Sequence, residues 1–358
     1  MTRRAYIVAE AGVNHDGSLR QAIELVDIAA KARADAVKFQ SFKTSNVITR
    51  RAPKADYQKS RTGAGESQYE MVKKLELSEA DHLRLRDHCR KRKIHFLSTP
   101  FDFWSLDLLV RKCRVERIKI ASGEITNAPL LLRAAQSGKK IILSTGMSTL
   151  GEVESALGVL AFGYLGSSSR PSSAGFRASF CSDLGQRLLR ERVTLLHCTT
   201  EYPAPFEDVN LRAMDTLATA FGLPVGFSDH TRGLAVPIAA VARGAELIEK
   251  HFTIDRGLPG PDHQASLEPE ELIDLVRSIR HVEKALGRSV KAPAGAEVKN
   301  RTIARKSLVA SRRIRKGEVF TARNIAAKRP GGGISPMRYW EVVGLKATRD
   351  YDADEAID

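Results

Sequence analysis

Two histidines and a glutamate lie at the ends of two apolar stretches, where they could bind a metal ion and move a proton. His230 follows the first stretch, and Glu249 and His251 end the second. In a strand, alternate side chains share a face, so Glu249 and His251 point the same way while Lys250 points to the other face. Two imidazoles and a carboxylate suit a divalent metal ion with open positions beside a general base. The alternative is that both histidines are ordinary strand-end or core residues.

The element between the two stretches decides whether these groups meet. Residues 233–243 are a helix-forming run, and a strand, a helix and a second strand in succession predict a parallel crossover unit. Such a unit brings His230 and His251 to the same end of a parallel sheet. The expected metal and base chemistry therefore depends on this one arrangement.

The same alternation of apolar strands and amphipathic helices runs through most of the chain. We predict eight strand–helix units over about 280 residues, which favours a closed TIM (β/α)8 barrel over an open doubly wound sheet. No GxGxxG or Walker loop follows any predicted strand, so a nucleotide-binding fold has little support. A Ser- and Gly-rich segment, residues 163–185, is interpreted as a surface insertion.

All eight predicted strands end in polar residues, although their middles are apolar. The set comprises Glu10, Lys38, Gln40, Thr99, Lys119, Ser122, Glu124, Ser144, His197, Thr199, Ser228, His230, Glu249 and His251. Active-site groups of a TIM barrel lie at these C-terminal strand ends, although any single member could be a solvated or hydrogen-bonded residue. Lys38 and Lys119 lie among apolar neighbours and need an anionic partner. With Ser122, Ser144 and Ser228 they would hold a phosphate or carboxylate.

Composition and charge limit the class of protein. The chain has 358 residues, 42% of them hydrophobic, and a formal net charge of +15. This charge allows nucleic-acid binding but equally suits a site for anionic metabolites. We find no run of about eighteen apolar residues and no signal peptide, so we expect no membrane-spanning segment. The four cysteines form no CxxC pair, which is typical of reduced thiols in a cytoplasmic protein.

A linker and a small domain follow the barrel. We assign residues 1–287 to the catalytic barrel and residues 288–305, which are rich in Gly, Pro and Ala, to the linker. Residues 306–358 contain short β-like runs and form a domain too small to house a catalytic centre of its own. The basic stretch 312–316 is interpreted as a solvated face, because it lacks interleaved aromatic residues to stack on bases. We therefore expect no nucleic-acid partner.

Blocks of sequence at the predicted strand ends match one enzyme family. They are VAEAGVNHDG at 8–17, VKFQ at 37–40, STPFD at 98–102, KIASGE at 119–124, STGM at 144–147, SDHT at 228–231, EKHFT at 249–253 and GPDH at 260–263. By these blocks the chain resembles the sialic acid synthase family over nearly its whole length. Residues 306–358, with KRPG at 328–331, resemble the SAF (antifreeze-like) domain of that family.

The resemblance implies a fold, a reaction and an assembly. It implies a TIM barrel with a C-terminal SAF domain that condenses phosphoenolpyruvate with an open-chain N-acyl amino sugar. The sugar would be N-acetylmannosamine or a close relative, the product N-acetylneuraminate, and phosphate would leave by cleavage of a C–O bond. The resemblance further implies a divalent metal ion, Mn²⁺ or else Mg²⁺ or Co²⁺, and a domain-swapped homodimer.

The resemblance also implies roles for individual residues. The metal ligands would be His230 and His251, and the catalytic residues Glu249, Lys38 and Lys119. The phosphoenolpyruvate contacts would be Lys38, Lys119, Ser122, Ser144 and Ser228. The sugar contacts would be Glu10, Tyr202 and Asp262, with Glu124 and Thr200 in the same group. Arg329 of the SAF domain would reach the N-acyl group of the sugar in the partner subunit.

Three alternatives remain open from the sequence. The same chemistry could act on a legionaminate or pseudaminate precursor, or on a 6-phosphorylated mannosamine. The segment CTTEYP at 198–203 resembles legionaminic acid synthases, and some sialic acid synthases have Asn where this chain has Thr200. A different phosphoenolpyruvate-dependent aldol condensation is disfavoured by the SAF domain. A non-catalytic carbohydrate- or nucleic-acid-binding barrel is disfavoured because His230, Glu249 and His251 are intact.

Overall fold

A computed structural model describes residues 4–53 and 67–358 of the chain. The chain divides into two compact units, Met1–Gly287 and Arg288–Asp358. Segment 288–305, predicted as a linker, contains a helix, Gly295–Ala304.

The first unit is built on one sheet of eight parallel strands. They are β1 (Tyr6–Gly12), β2 (Ala36–Ser41), β3 (His95–Pro100), β4 (Arg117–Ile120), β5 (Lys140–Ser144), β6 (Val193–His197), β7 (Val225–Asp229) and β8 (Leu247–His251). Their order in the sheet is β3-β2-β1-β8-β7-β6-β5-β4. The two outer strands, β3 and β4, lie against each other, so the sheet closes on itself. The predicted TIM barrel is confirmed.

Helices connect the strands and cover the outside of the barrel. They are α1 (Leu19–Lys31), α2 (Thr44–Val47), α3 (Gln68–Lys73), α4 (Glu79–Arg92), α5 (Phe103–Asp107), α6 (Ala128–Gln136), α7 (Leu150–Leu165), α8 (Ser173–Cys181), α9 (Asp183–Arg192), α10 (Ala213–Phe221), α11 (Ala235–Ala242) and α12 (Pro269–Leu286). A π-helical segment, Leu108–Cys113, extends α5. Ser18 and Ser78 cap α1 and α4 through their hydroxyl groups, as their positions before helical runs predict.

Residues 163–185, predicted as a surface insertion, are mostly helical. Helix α7 continues to Leu165, and α8 and α9 fill most of the remainder. Two of the serines in this segment are helix N-caps, because Ser172 Oγ accepts from Gly175 N at 3.1 Å and Ser182 Oγ accepts from Gly185 N at 3.0 Å. Ser-rich sequence thus marks helix starts here.

Two apolar layers surround the strands. The larger layer lies between the strands and the helices and includes Leu25, Leu85 and Ile279, all fully buried. A smaller cluster fills the inside of the barrel and consists of Val8, Ala36, Leu97, Ile142, Leu196 and Leu247, with Tyr6 packed against it. Interior residues alternate with exterior ones along each strand. This inner layer separates the two ends of the barrel.

The second unit has its own small core. Strands β9 (Ser307–Ala310) and β10 (Ile325–Lys328) pair antiparallel, and a short helix spans Tyr339–Val342. Leu308, Ile314 and Tyr351 are fully buried in its core. In the described part of the chain, no helix combines the length and the apolar character needed to cross a membrane.

Candidate active site

The carboxylate of Glu249 lies between two buried lysines at the C-terminal mouth of the barrel. Its Oε1 is 3.4 Å from Lys119 Nζ, and its Oε2 is 3.5 Å from Lys38 Nζ. Ser228 Oγ, on the neighbouring strand, donates a hydrogen bond to Oε1 at 2.8 Å. Burial alone would raise the pKa of Glu249, but the ammonium groups of Lys119 and Lys38 outweigh it and lower the pKa to about 2. Glu249 is therefore held as an oriented carboxylate.

Lys38 joins a second carboxylate, Glu10, to this cluster. Its Nζ lies 2.9 Å from Glu10 Oε2 and donates to Thr99 Oγ1 at 3.0 Å. Burial raises the pKa of Glu10 to about 8; Lys38 opposes this rise and Glu249 reinforces it. The predicted need of Lys38 and Lys119 for anionic partners is thus met by two carboxylates of the protein. Glu10, Lys38, Lys119 and Glu249 thus form one buried, connected cluster.

Two further serines, Ser122 and Ser144, lie at the C-terminal ends of β4 and β5. Ser144 Oγ is buried and has no hydrogen-bond partner among the described residues. Ser122 Oγ accepts from Gly146 N at 3.0 Å and lies 3.1 Å from Cys198 Sγ. A buried hydroxyl without a partner is costly, so Ser144 is poised to bond a ligand. The acceptor role of Ser122 leaves its own hydrogen available for donation.

The two histidines lie together at the same mouth, as the crossover unit predicted. Their ring centroids are 5.6 Å apart. His230 Nδ1 donates to Thr199 O at 2.6 Å, which leaves its Nε2 as a lone-pair donor. Burial lowers the pKa of His230 to about 4, and burial, assisted by His230 and Lys38, holds the pKa of His251 well below its usual range. Both rings are therefore neutral, the form that binds metal ions.

These residues fit a divalent metal ion in an open site. His251 Nδ1 is buried without a hydrogen-bond partner among the described residues. Within residues 4–53 and 67–358, no group of three or more His, Cys, Asp or Glu side chains could hold a metal. An ion here would therefore have two imidazole ligands and take its other ligands from substrate and water.

Tyr202 and Thr200 line the same mouth. The ring of Tyr202 lies 4.2 Å from that of His230 and 5.6 Å from that of His251, centroid to centroid. The hydroxyl of Thr200 fills the space that a Cβ on Gly146 would occupy. A larger residue at Gly146 would therefore displace Thr200 from the mouth.

A buried ion pair lies directly behind the site. Lys250 points to the outer face of β8, as predicted, and its Nζ is 2.6 Å from Asp229 Oδ2 and donates to Thr231 O at 2.5 Å. Asp229 Oδ1 also accepts from the hydroxyl of Thr231 at 2.8 Å. Because Asp229 precedes His230, and Lys250 lies between Glu249 and His251, the pair fixes the strand ends that carry the site.

Three further residues, predicted to contact the sugar, are Glu124, Asp262 and Arg329. Glu124 is half-buried and accepts from Asn127 Nδ2 at 2.7 Å. Asp262 is buried, and its carbonyl oxygen accepts from Ser266 Oγ at 2.7 Å. Arg329 is exposed in the second unit, directly after β10. The roles of Glu124, Asp262 and Arg329 toward the sugar stay predictions.

One assignment from the strand-end pattern needs revision. His197 does not join the cluster: its Nε2 donates to Val209 O at 2.6 Å, and its ring packs 5.9 Å from that of Phe227. Cys198 is a free thiol, as predicted, and it also contacts Ser122. The signal was available, because Cys198 shares a strand face with Leu196 of the barrel interior.

Comparison with known proteins places the chain in a family. Residues 25–291 match the NeuB family, and residues 305–358 match the SAF domain. The chain belongs to the NeuB family. It is 51% identical to N,N'-diacetyllegionaminic acid synthase of Campylobacter jejuni subsp. jejuni serotype O:2, over 99% of both chains. It is 44% identical to the enzyme of the same name from Legionella pneumophila, over 97% of this chain and 92% of that one.

A solved structure of a NeuB-type protein has the same fold. It is the N-acetylneuraminic acid (sialic acid) synthetase of Leptospira borgpetersenii serovar Hardjo-bovis, 35% identical with a TM-score of 0.66. The alignment covers 84% of this chain and 90% of that one. The predicted membership of the sialic acid synthase family, including its SAF domain, is confirmed.

Proposed function

We propose that this NeuB-family protein condenses phosphoenolpyruvate with an open-chain N-acyl amino sugar and releases phosphate. The observation that carries the proposal is the position of Glu249, held between Lys119 and Lys38 beside His230 and His251. Such a cluster supplies positive charge for an anionic substrate and a carboxylate base within one water-poor mouth.

The reaction forms one C–C bond and breaks one C–O bond. C3 of phosphoenolpyruvate attacks the aldehyde carbon of the sugar, and the aldehyde oxygen becomes a hydroxyl group by taking up a proton. Water then adds to C2, and the resulting tetrahedral intermediate expels phosphate together with the bridging oxygen, which leaves a ketone at C2. A divalent metal ion on His230 and His251 would supply Lewis-acid polarisation of the carbonyl group.

The residues of the chain bind and orient the reactants. Lys38 and Lys119 would neutralise the phosphate and carboxylate of phosphoenolpyruvate, and Ser144 would donate its unpartnered hydroxyl. Glu249 would accept the proton that the attacking water loses, because its carboxylate is ionised and shares a strand face with His251. Glu10 would accept a hydrogen bond from a hydroxyl group of the sugar, through carboxyl lone pairs that do not face Lys38.

We propose the 6-deoxy diacetamido precursor of N,N'-diacetyllegionaminic acid as the sugar. Two relatives with that product in their names are 51% and 44% identical over nearly the whole chain. Thr200, at the mouth beside Gly146, lies in the segment that resembles legionaminic acid synthases.

N-acetylmannosamine is the second candidate sugar. The Leptospira protein with a sialic acid synthetase name is 35% identical and shares the fold. The two candidates differ at C4 and C6 of the sugar, where one carries an acetamido group and a methyl group and the other carries hydroxyl groups.

We also propose the cofactor, the assembly and the location. The metal ion is Mn²⁺, and two neutral imidazoles with oxygen ligands from substrate and water suit it. The assembly is a homodimer in which Arg329 of one subunit serves the barrel of the other, and the location is the cytoplasm. The presence of a SAF domain with an exposed arginine supports the assembly.

A sugar panel tests the substrate assignment. Phosphate release from phosphoenolpyruvate is measured with Mn²⁺ and either the 6-deoxy diacetamido sugar, N-acetylmannosamine or its 6-phosphate. The proposal expects the highest kcat/KM with the diacetamido sugar. A higher kcat/KM with N-acetylmannosamine would transfer the assignment to the second candidate, and no phosphate release with any sugar would reject the activity.

A further inference from the structure

The barrel has a second polar mouth, at the N-terminal ends of its strands, that the proposed reaction does not use. A cavity of about 240 Å³ opens there between the first residues of several strands. Arg117 begins β4, Lys140 begins β5 and Tyr6 begins β1, and all three line the cavity. A volume of this size admits a small molecule and excludes a macromolecule.

The cavity is lined mainly by basic side chains. They are Arg4, Arg117, Lys140, Arg190 and Arg192, against Glu191 and Glu246. Arg4 is already paired with Asp35 at 3.1 Å. Arg117 and Lys140 form no ion pair with any residue in the described ranges 4–53 and 67–358. Positive charge in this concave site is therefore only partly compensated by the protein.

Arg117 and Lys140 are direct neighbours in the sheet. They are register partners in the parallel ladder between β4 and β5, so their side chains leave the sheet on the same face. Like charges placed opposite each other across two strands destabilise the pair. The ring of Tyr6 lies 4.8 Å below the Arg117 guanidinium and orients it. A bound anion between the two cations would remove the repulsion.

This mouth is separate from the catalytic one. The inner apolar layer lies between them, with Ile142 two residues after Lys140 and Leu247 on the facing side. Lys119, which contacts Glu249, lies two residues after Arg117 and beyond that layer. An anion at the N-terminal mouth therefore has no path through the barrel to the catalytic cluster.

We propose that the N-terminal mouth of the barrel is a second anion-binding site, for a small molecule that carries a phosphate group. The planar guanidinium of Arg117 can bind two phosphate oxygens at once, and the ammonium group of Lys140 adds a mobile point charge. Two cations without an ion-pair partner among the described residues favour an anion that carries more than one charge. A phosphate monoester group carries about −1.5 to −2 charges at neutral pH.

Calorimetric titration of the full-length protein with inorganic phosphate tests this site at constant ionic strength. Phosphate also binds the catalytic mouth if the proposed function holds, so we expect two classes of site per chain. Lys140→Gln removes one charge from an exposed side chain and should weaken one class roughly tenfold or more, with phosphoenolpyruvate turnover unchanged. The second variant, Arg117→Gln, should weaken the same class.

A variant with a weakened catalytic mouth distinguishes phosphate binding at the two mouths. In Lys119→Ala, where the catalytic mouth is weakened, phosphate binding should persist and should become roughly tenfold weaker when Lys140→Gln is added. Arg20→Gln/Lys284→Gln is the matched control, since both side chains are exposed on helices away from the cavity.

Three results would overturn the proposal. One is a single class of phosphate site in the wild type that disappears in Lys119→Ala. Another is unchanged phosphate binding in both Lys140→Gln and Arg117→Gln. The third is an equal loss in the control pair, which would mean that phosphate follows net charge and not this cavity.

Discussion

Oε1 of Glu249 lies 3.4 Å from Nζ of Lys119, inside a barrel mouth where both side chains are at least nine-tenths buried. Lys119 therefore contacts the Glu249 carboxylate, which orients it, and would also bind phosphoenolpyruvate. Removal of either partner leaves a buried charge uncompensated, which is strongly unfavourable. This pair connects the stability of the site with its proposed chemistry.

Lys119→Ala should raise the apparent KM for phosphoenolpyruvate far more than the apparent KM for the sugar. A buried charge-assisted contact is worth about 2–3 kcal/mol, which corresponds to roughly thirty- to more than a hundredfold in the apparent KM. Steady-state kinetics with each substrate varied in turn measure the effect. Lys31→Ala, on the outer surface, is the control. An unchanged response to phosphoenolpyruvate with weakened sugar use would reverse the assignment.

His251→Ala should abolish turnover and weaken Mn²⁺ binding, because it removes one of two proposed protein ligands. The fold should survive, since the residue ends a strand at the mouth. Mn²⁺ binding to the substrate-free protein, followed by electron paramagnetic resonance, gives a readout that is independent of activity. Chelator treatment of the wild type should lower activity to the level of the variant. Near-normal activity and metal binding in His251→Ala would show that the metal site is wrongly placed.

Arg329 is predicted to complete the sugar site of the partner subunit. Neither Glu249→Gln nor Arg329→Ala should turn over well alone. A mixed dimer of the two variants would contain one site with both residues intact if the contact crosses the dimer. Activity should therefore return when the variants are mixed under conditions that exchange subunits. Absence of recovery, with subunit exchange shown by mass spectrometry of tagged chains, would assign the SAF domain to its own barrel or to none.

Stability should fall in mild acid because of His15. This ring is buried, its Nδ1 accepts from Gly17 N at 3.0 Å, and burial lowers its pKa to about 4. Between about pH 6.5 and pH 4 the unfolded chain binds a proton there that the folded chain does not, so the free energy of unfolding decreases as the pH falls. The contribution is about 2 kcal/mol between pH 7 and pH 5.

Urea unfolding at both pH values measures this contribution. His15→Gln should reduce the difference between pH 7 and pH 5, whereas His281→Gln, on the exposed side of α12, should not. The pH dependence of wild type and His15→Gln would be the same if the ring of His15 were solvated or protonated in the folded state.

The architecture and the location of the site could be read from the sequence for clear physical reasons. Strands in a barrel are buried on both faces, so their apolar runs are nearly continuous, and polar ends such as those of β7 and β8 stand out. The alternation of Glu249, Lys250 and His251 assigned each side chain to its face, and the structure agrees.

Other features depend on contacts between residues far apart in the chain. Lys38 and Lys119 were expected to bind an anionic ligand, but they already contact Glu10 and Glu249 of the protein, and no local pattern reveals that pairing. The hydrogen bond from His197 to Val209 could not be predicted without the path of the chain after β6. The composition of residues 163–185 did not reveal the helices α8 and α9, because serine favours helix N-caps as well as loops.

The fate of the bridging oxygen of phosphoenolpyruvate tests the account most directly. Phosphoenolpyruvate labelled with ¹⁸O at the C2–O–P position is incubated with the 6-deoxy diacetamido sugar, Mn²⁺ and the protein. Mass spectrometry then measures the label in phosphate and in the sugar acid. Attack of water at C2 with C–O cleavage predicts that the label appears in phosphate and that Glu249→Gln forms almost none. Label retained in the sugar acid, or no phosphate release at all, would contradict the account.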